Sequence, residues 1–213
     1  MKQASKKAPK QVPQHQAVQS HQVRIIGGQW KRTPLMVSAA AGLRPTPDRV
    51  RETVFNWLGH LLDGNWSGLQ CLDLFAGSGA LGFEAASRGA AQVTLVENST
   101  PALQQLDAAK TRLNAQQVGI VRSDALVLAT ALAQRQPGSF DLVFVDPPYH
   151  QGWLEKIMPQ CAQLLAPGGL AYVEAEESLE GVDAPEWTAQ WEILRADRAG
   201  LVFYHLLRCK SAA

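Results

Sequence analysis

Four consecutive residues, Asp146-Pro147-Pro148-Tyr149, close the apolar run Phe140-Asp141-Leu142-Val143-Phe144-Val145. The run is rich in β-branched and aromatic residues and too short for a helix, which predicts a buried parallel strand. The four residues then lie just past a strand's carboxyl end, where open α/β sheets form their ligand crevice. Two prolines in succession fix two φ angles and remove two backbone donors, so the neighbouring carbonyls become stiff acceptors. A Pro-Pro pair by itself fits any strand-ending turn. A carboxylate, a rigid carbonyl and an aromatic face together suit a planar base with an exocyclic amine: Asp146 and the Pro147 carbonyl accept from the amine while Tyr149 stacks on the ring.

A second group of residues points to a cofactor. Gly77, Gly79 and Gly82 match G-x-G-x-x-G, and Glu97 falls about twenty residues on, where an acid can grip a ribose. The pattern alone does not separate a dinucleotide from other adenosine cofactors. Asp73 stands just before Leu74-Phe75-Ala76-Gly77-Ser78-Gly79, and a carboxylate there repels a pyrophosphate and attracts a cationic amino-acid moiety. That favours S-adenosylmethionine, whose ammonium and sulfonium are positive, with Glu97 on the ribose hydroxyls and Asp124 accepting from the adenine amine. Phe75, Ala76, Gly77, Ser78 and Gly79 form the turn, and Asp146 borders it. Any one of these acids taken singly also fits a surface or capping position; the set of them with the glycine turn carries the reading.

The elements that position these groups alternate. Strands are predicted over Leu69 to Leu74, Gln92 to Val96, Val118 to Val121, Phe140 to Val145 and Leu170 to Ala175. Helices fall between them: from the glycine turn to about Arg88, Pro101 to Gln116, up to about Gln134, and Trp153 to Leu165, which stops at Pro167-Gly168-Gly169. Trp187 to Leu194 and Leu201 to Arg208 read as an antiparallel hairpin at a sheet edge. The fold class is α/β, a Rossmann-like, mostly parallel sheet with an antiparallel C-terminal hairpin and a small N-terminal hairpin and helix appendage.

Ahead of the sheet, the charge changes character. Residues 1–51 hold ten basic residues against one acidic, a net +9, whereas the rest hold ten basic against eighteen acidic, a net −8. Such asymmetry suggests a nucleic-acid partner, although a solvated basic tail accounts for part of it. Residues 1–22 lack aliphatic periodicity and read as a disordered basic arm. Residues 23–45 read as a nucleic-acid-binding appendage in which Trp30 stands beside Lys31 and Arg32, placed to stack on a nucleotide while the cations hold phosphate, or to pack the appendage onto the main domain. Residues 46–210 read as the S-adenosylmethionine-binding domain. Its first helix is predicted from Thr46 as N-cap and Pro47 as first helical residue to about Leu62, burying Val50, Val54, Trp57, Leu58, Leu61 and Leu62. Arg49 and Arg51 then lie on the surface, where with Arg44 they offer a phosphate site or pair with Asp48 and Glu52. Cys71, Cys161 and Cys209 have no paired metal-ligand spacing and read as reduced thiols. With no apolar stretch approaching ~20 residues, the expectation is a soluble, cytoplasmic protein acting as a monomer.

Leu72-Asp73-Leu74-Phe75-Ala76-Gly77-Ser78-Gly79 together with Asp146-Pro147-Pro148-Tyr149 resembles class I methyltransferases that modify amino groups of bases. Arg24-Ile25-Ile26-Gly27-Gly28 and the segment Leu43-Arg44-Pro45-Thr46-Pro47-Asp48-Arg49-Val50-Arg51-Glu52-Thr53-Val54-Phe55-Asn56-Trp57-Leu58 are similar to the bacterial RsmD family of 16S ribosomal RNA (guanine-N2)-methyltransferases, over roughly Val23 to Arg208. The resemblance implies methyl transfer from S-adenosylmethionine to a guanine amine in small-subunit ribosomal RNA, within the subunit or an assembly intermediate. Asp146, Pro147 and Tyr149 would be catalytic, His150 would line the cleft, and Arg24, Trp30, Lys31, Arg32, Arg44, Arg49 and Arg51 would contact RNA. A DNA adenine methyltransferase would share both motifs but usually needs a target-recognition region, and the segment after Tyr149 leaves no room for a long one. A non-catalytic, cofactor-sensing assembly factor is the other alternative, and the intact Asp73, Glu97 and Asp146 count against it.

Overall fold

The computed structural model describes residues 22–37 and 47–210. Residues 1–21 of the expected arm, Arg44 and the expected Thr46 cap lie outside the described residues, while Gln22, the last residue assigned to the arm, opens the first strand. Element order is β1 (Gln22–Arg24), β2 (Pro34–Met36), α1 (Asp48–Leu61), β3 (Gln70–Asp73), α2 (Ala80–Arg88), β4 (Gln92–Glu97), α3 (Thr100–Leu113), β5 (Val118–Arg122), α4 (Ala125–Arg135), β6 (Phe140–Val145), α5 (Trp153–Leu164), β7 (Leu165–Ala175), a 3-10 turn (Glu186–Gln190), β8 (Trp191–Ala199) and β9 (Val202–Cys209).

Seven strands form one sheet in the order β5-β4-β3-β6-β7-β9-β8. β5 through β7 run parallel, and β9 and β8 join antiparallel. Strand order reverses between β3 and β6, so the ligand crevice of this fold opens between their carboxyl ends. Parallel strands covered on both faces need apolar residues in both alternating registers. Leu142, Phe144 and Tyr172 accordingly pack toward α1 and α2, while Val143, Val145 and Val173 pack with residues of α4 and α5.

Several boundaries differ from those predicted. α1 starts at Asp48 with Pro47 as its N-cap and no side-chain cap bond. Its buried face is Val50, Arg51, Val54, Phe55 and Leu58, whereas Leu61 is exposed, so the helix is rotated from the expected stripe. The cause is aromatic packing: Phe55 stacks on Trp66 and meets Phe144, a cluster built by residues from three separate segments. β7 begins at Leu165 directly after α5, and Pro167-Gly168-Gly169 lies inside the strand as an irregularity in the pairing with β6. Gly168 takes φ +80°, and a Cβ on Gly169 would come within 2.9 Å of the Ala166 carbonyl, so the bulge requires glycine. The predicted strand over Trp187 to Leu194 is displaced: Glu186–Gln190 forms a 3-10 turn and β8 extends to Ala199, with the hairpin turning at Gly200 and Leu201.

The β1–β2 hairpin buries Val23, Ile25 and Leu35 in the same core as α1 and α2. No helix among the described residues is long and apolar enough to cross a membrane.

Candidate active site and RNA-facing surface

Asp73 ends β3, Glu97 ends β4, Asp124 follows β5 and Asp146 follows β6. The sheet therefore lines up the four acids along one edge, as the sequence required. The glycine turn crosses this edge between β3 and α2. Gly77 and Gly79 take φ of +51° and +77°, and a Cβ on Gly79 would lie 2.5 Å from the Phe83 ring and 2.7 Å from Leu106. At Gly82 the missing Cβ lets α2 sit against Leu95, which it would otherwise meet at 2.1 Å.

Asp73 lies beneath this turn. Its Oδ2 accepts from the Gly82 amide at 3.1 Å, while its buried Oδ1 has no hydrogen-bond partner among the described residues. Burial pushes its carboxyl up to about 7, against the nearby Gly82 and Phe75 amides, which pull it down, and Glu97 adds to the rise. A buried carboxylate with an unsatisfied oxygen beside a glycine cradle fits the cationic moiety of S-adenosylmethionine.

Glu97 spans the turn from the other side: Oε2 accepts from the Gly77 amide at 2.9 Å, and Oε1 from the Asn98 and Ser99 amides. Asp124 is the N-cap of α4, taking the Leu126 and Val127 amides on Oδ1 alone. Phe75 leaves the turn to meet Trp153 edge-on at 5.3 Å, tying the cofactor side to α5.

Pro147 is buried, and Asp146 and Tyr149 are half-buried. The segment ends at His150, a non-glycine residue at φ +61° whose amide and Nδ1 both engage the Glu176 carboxylate beyond β7. Its imidazole is thus an anchor for the loop. Beside Pro147 and Tyr149 opens a groove of about 200 Å³, walled also by Trp153, Glu174, Glu176 and Trp187.

The candidate RNA residues divide. Lys31, Arg32 and Arg49 are exposed, and Arg24 is exposed while pairing with Asp48 at 2.8 Å. Trp30 is half-buried and packs on the core beneath the hairpin. Arg51 is not on the surface as expected: it is fully buried, with Nη1 donating to the Arg24 carbonyl and Nη2 to Asp48 at 2.6 Å. The rotation of α1 turns Arg51 inward, and burial lowers its basicity against the opposing pull of Asp48.

Sequence reasoning missed the residues that fix the hairpin. Buried Glu84 accepts the Ile26 and Gly27 amides at 2.6 and 2.8 Å and pairs with Arg88. Ser87 Oγ accepts from the Trp30 amide and donates to the Gly27 carbonyl. Nothing local signals this, because the partners are separated by 57 to 60 residues.

Comparison with known proteins places the chain. The family model described as conserved hypothetical protein 95 matches residues 23–208. The chain is 44% identical to ribosomal RNA small subunit methyltransferase D of Escherichia coli over 189 residues, covering 88% of this chain and 90% of that protein. It is 38% identical to the protein of the same name from Haemophilus influenzae, covering 87% of this chain and 93% of that protein. A solved structure of Escherichia coli yhhF, described as a candidate methyltransferase, superposes with a TM-score of 0.73 at 42% identity, covering 90% of this chain and all of that one. With its glycine turn and Asp146-Pro147-Pro148-Tyr149 meeting at the switch point, the chain belongs to this family, the RsmD family of ribosomal RNA small subunit methyltransferases.

Proposed function

We propose that this protein transfers a methyl group from S-adenosylmethionine to the N2 amine of a guanine in small-subunit ribosomal RNA, acting as a cytoplasmic monomer on the subunit or an assembly intermediate. The observation that carries the reading is the meeting, across the β3–β6 reversal, of a buried acid under a glycine turn with Asp146-Pro147-Pro148-Tyr149. Relatives of the chain are named as small-subunit ribosomal RNA methyltransferases.

Asp73 and the turn would hold the amino-acid end of S-adenosylmethionine, Glu97 its ribose and Asp124 its adenine. When bound, S-adenosylmethionine supplies an electrophilic methyl on a positive sulfur. A guanine amine is a weak nucleophile because its lone pair is delocalised into the ring, so positioning supplies most of the acceleration. Alignment of nitrogen with the methyl can remove about 7–11 kcal/mol of barrier. Asp146 and the Pro147 carbonyl accept from the amine, aim its lone pair at the glycine-turn side and stabilise the positive charge that develops on nitrogen. Tyr149 stacks on the extruded base, worth about 1–3 kcal/mol. Lys31, Arg32, Arg49 and Arg24 hold phosphates around an unpaired target, which costs less to extrude than a stacked one.

Incubation of the protein with undermodified small subunits and labelled S-adenosylmethionine, followed by mapping, tests the proposal. Label at N2 of one guanine is expected. Label on another atom or base, or none on subunits, naked RNA and assembly intermediates alike, rejects it.

A further inference from the structure

Asp146 has a carboxylate neighbour that no sequence motif announces. Val145 pairs with Val173 at the end of the parallel β6–β7 ladder, so Asp146, one residue past β6, and Glu174, still within β7, come next after the last paired residues, and both charges act on the Tyr172 phenol. Neighbouring strands lie about 4.7–4.9 Å apart, and residues at matched register point to the same face. That face is the one carrying Phe144 and Tyr172, two residues earlier on each strand, whose rings meet edge-on at 6.2 Å. Glu174 is 3% exposed and borders the groove beside Pro147 and Tyr149.

The orientation of Glu174 is fixed from below. The fully buried Tyr172 hydroxyl donates to Glu174 Oε1 at 2.8 Å. Burial first, then the nearby Glu174 and Asp146 charges, keep this phenol protonated far above neutral pH, so it remains a donor. A tyrosine wedged under a strand end thus presents a carboxylate as an acceptor in the wall that holds the reacting amine. A guanine offers two adjacent kinds of donor on its Watson–Crick edge, the N2 amine and the ring N1–H. An adenine offers an acceptor at N1, which a carboxylate repels.

We infer that Glu174 is the base-specificity residue of this site, accepting from guanine N1–H while Asp146 and the Pro147 carbonyl take the N2 amine. The inference rests on the guanine-N2 reading above and assigns a further residue to it. Tyr172 is the positioning residue that aims Glu174.

The test uses the full chain and two RNA substrates identical but for the target, guanine in one and 2-aminopurine in the other. 2-Aminopurine keeps the 2-amino group but has an acceptor at N1. The wild-type protein is expected to prefer guanine in kcat/KM by about 10²-fold or more, as sites built around a hydrogen bond reject analogues lacking the donor. In Glu174→Gln the amide can donate to N1, and the preference is expected to shrink by about tenfold or more. Comparing the two ratios cancels the intrinsic difference between the bases. A merely structural Glu174 would lower both rates together and leave the ratio unchanged, which overturns the assignment. Cofactor affinity by calorimetry checks that the variant is folded. If it does not fold, Tyr172→Phe is measured instead, where loss of aim is expected to narrow the preference several-fold and an unchanged ratio again overturns the assignment. Absence of wild-type transfer to the guanine substrate would reject the parent reading; normal transfer with equal ratios rejects only the role of Glu174.

Discussion

Glu84, buried in α2, receives the amide of Gly27 at 2.8 Å, joining the N-terminal hairpin to the helix that follows the glycine turn across 57 residues of sequence. The other oxygen takes the Ile26 amide, and Arg88 closes the pair on the Gly27 side. Hydrogen bonds to a charged group are worth about 1.5–3 kcal/mol each. Glu84→Ala is therefore expected to destabilise the protein by at least about 3 kcal/mol in urea unfolding, and to weaken RNA binding more than cofactor binding at temperatures where it stays folded.

Gly28 makes the same joint from the hairpin side. It takes φ +73°, and a Cβ there would lie 1.9 Å from the Ser87 carbonyl oxygen. Gly28→Ala is expected to cost roughly 1–3 kcal/mol from backbone strain, with the steric clash in addition, read as a lowered Tm. Gly64→Ala, at φ +69° with open space around it, provides the control for strain without clash.

The buried Asp73 is expected to make stability, and cofactor affinity if it holds the cationic moiety, depend on pH. Its folded carboxyl titrates at about 7, above its ordinary 3.8. Between these values the unfolded chain is ionised and the folded one protonated, so the folded state binds more protons and stability falls as pH rises, levelling off above about 7. The contribution is on the order of a few kcal/mol and should vanish in Asp73→Asn. A cationic ligand favours the ionised form, so S-adenosylmethionine affinity is expected to rise with pH toward 7 in the wild type, with proton release. Calorimetry in two buffers of different ionisation enthalpy reads this directly. A flat profile in both proteins would separate Asp73 from the cofactor.

Asp146→Ala should reduce single-turnover methyl transfer by about 10²-fold or more while leaving S-adenosylmethionine affinity within a few fold, since its proposed partner is the target amine. Glu97→Ala should do the opposite, weakening cofactor binding first. Near-normal single-turnover rates in Asp146→Ala would remove it from the catalytic assignment.

Exposed basic residues and the buried Arg51 should behave differently. Replacing Lys31, Arg32 and Arg49 together by Gln is expected to reduce the log–log salt slope of RNA binding by about 2, near 0.7 per lost contact to single-stranded RNA. Arg51→Gln should instead lower stability, because it strips donors from the Arg24 carbonyl and Asp48 within the fold. An unchanged slope in the triple variant would place the RNA grip elsewhere.

Sequence alone determined what depends on local pattern. The apolar run Phe140–Val145 could only be a buried strand, so Asp146-Pro147-Pro148-Tyr149 had to stand at its carboxyl end; the glycine turn after Asp73 was legible for the same reason. Acids at four consecutive strand ends follow from alternation of strand and helix. Tertiary structure decided what depends on partners far apart in the chain. The rotation of α1 follows the Phe55, Trp66 and Phe144 cluster and carries Arg51 inside, which periodicity along one helix could not anticipate. Glu84 became the anchor of a hairpin 57 residues away, and Glu174 came beside Asp146 through strand register. A buried charge needs partners, and although Arg51 and Glu84 each have one within a helical turn, the Arg24 carbonyl and the Ile26 and Gly27 amides that complete their shells come from far away in the chain, so only the assembled core shows them.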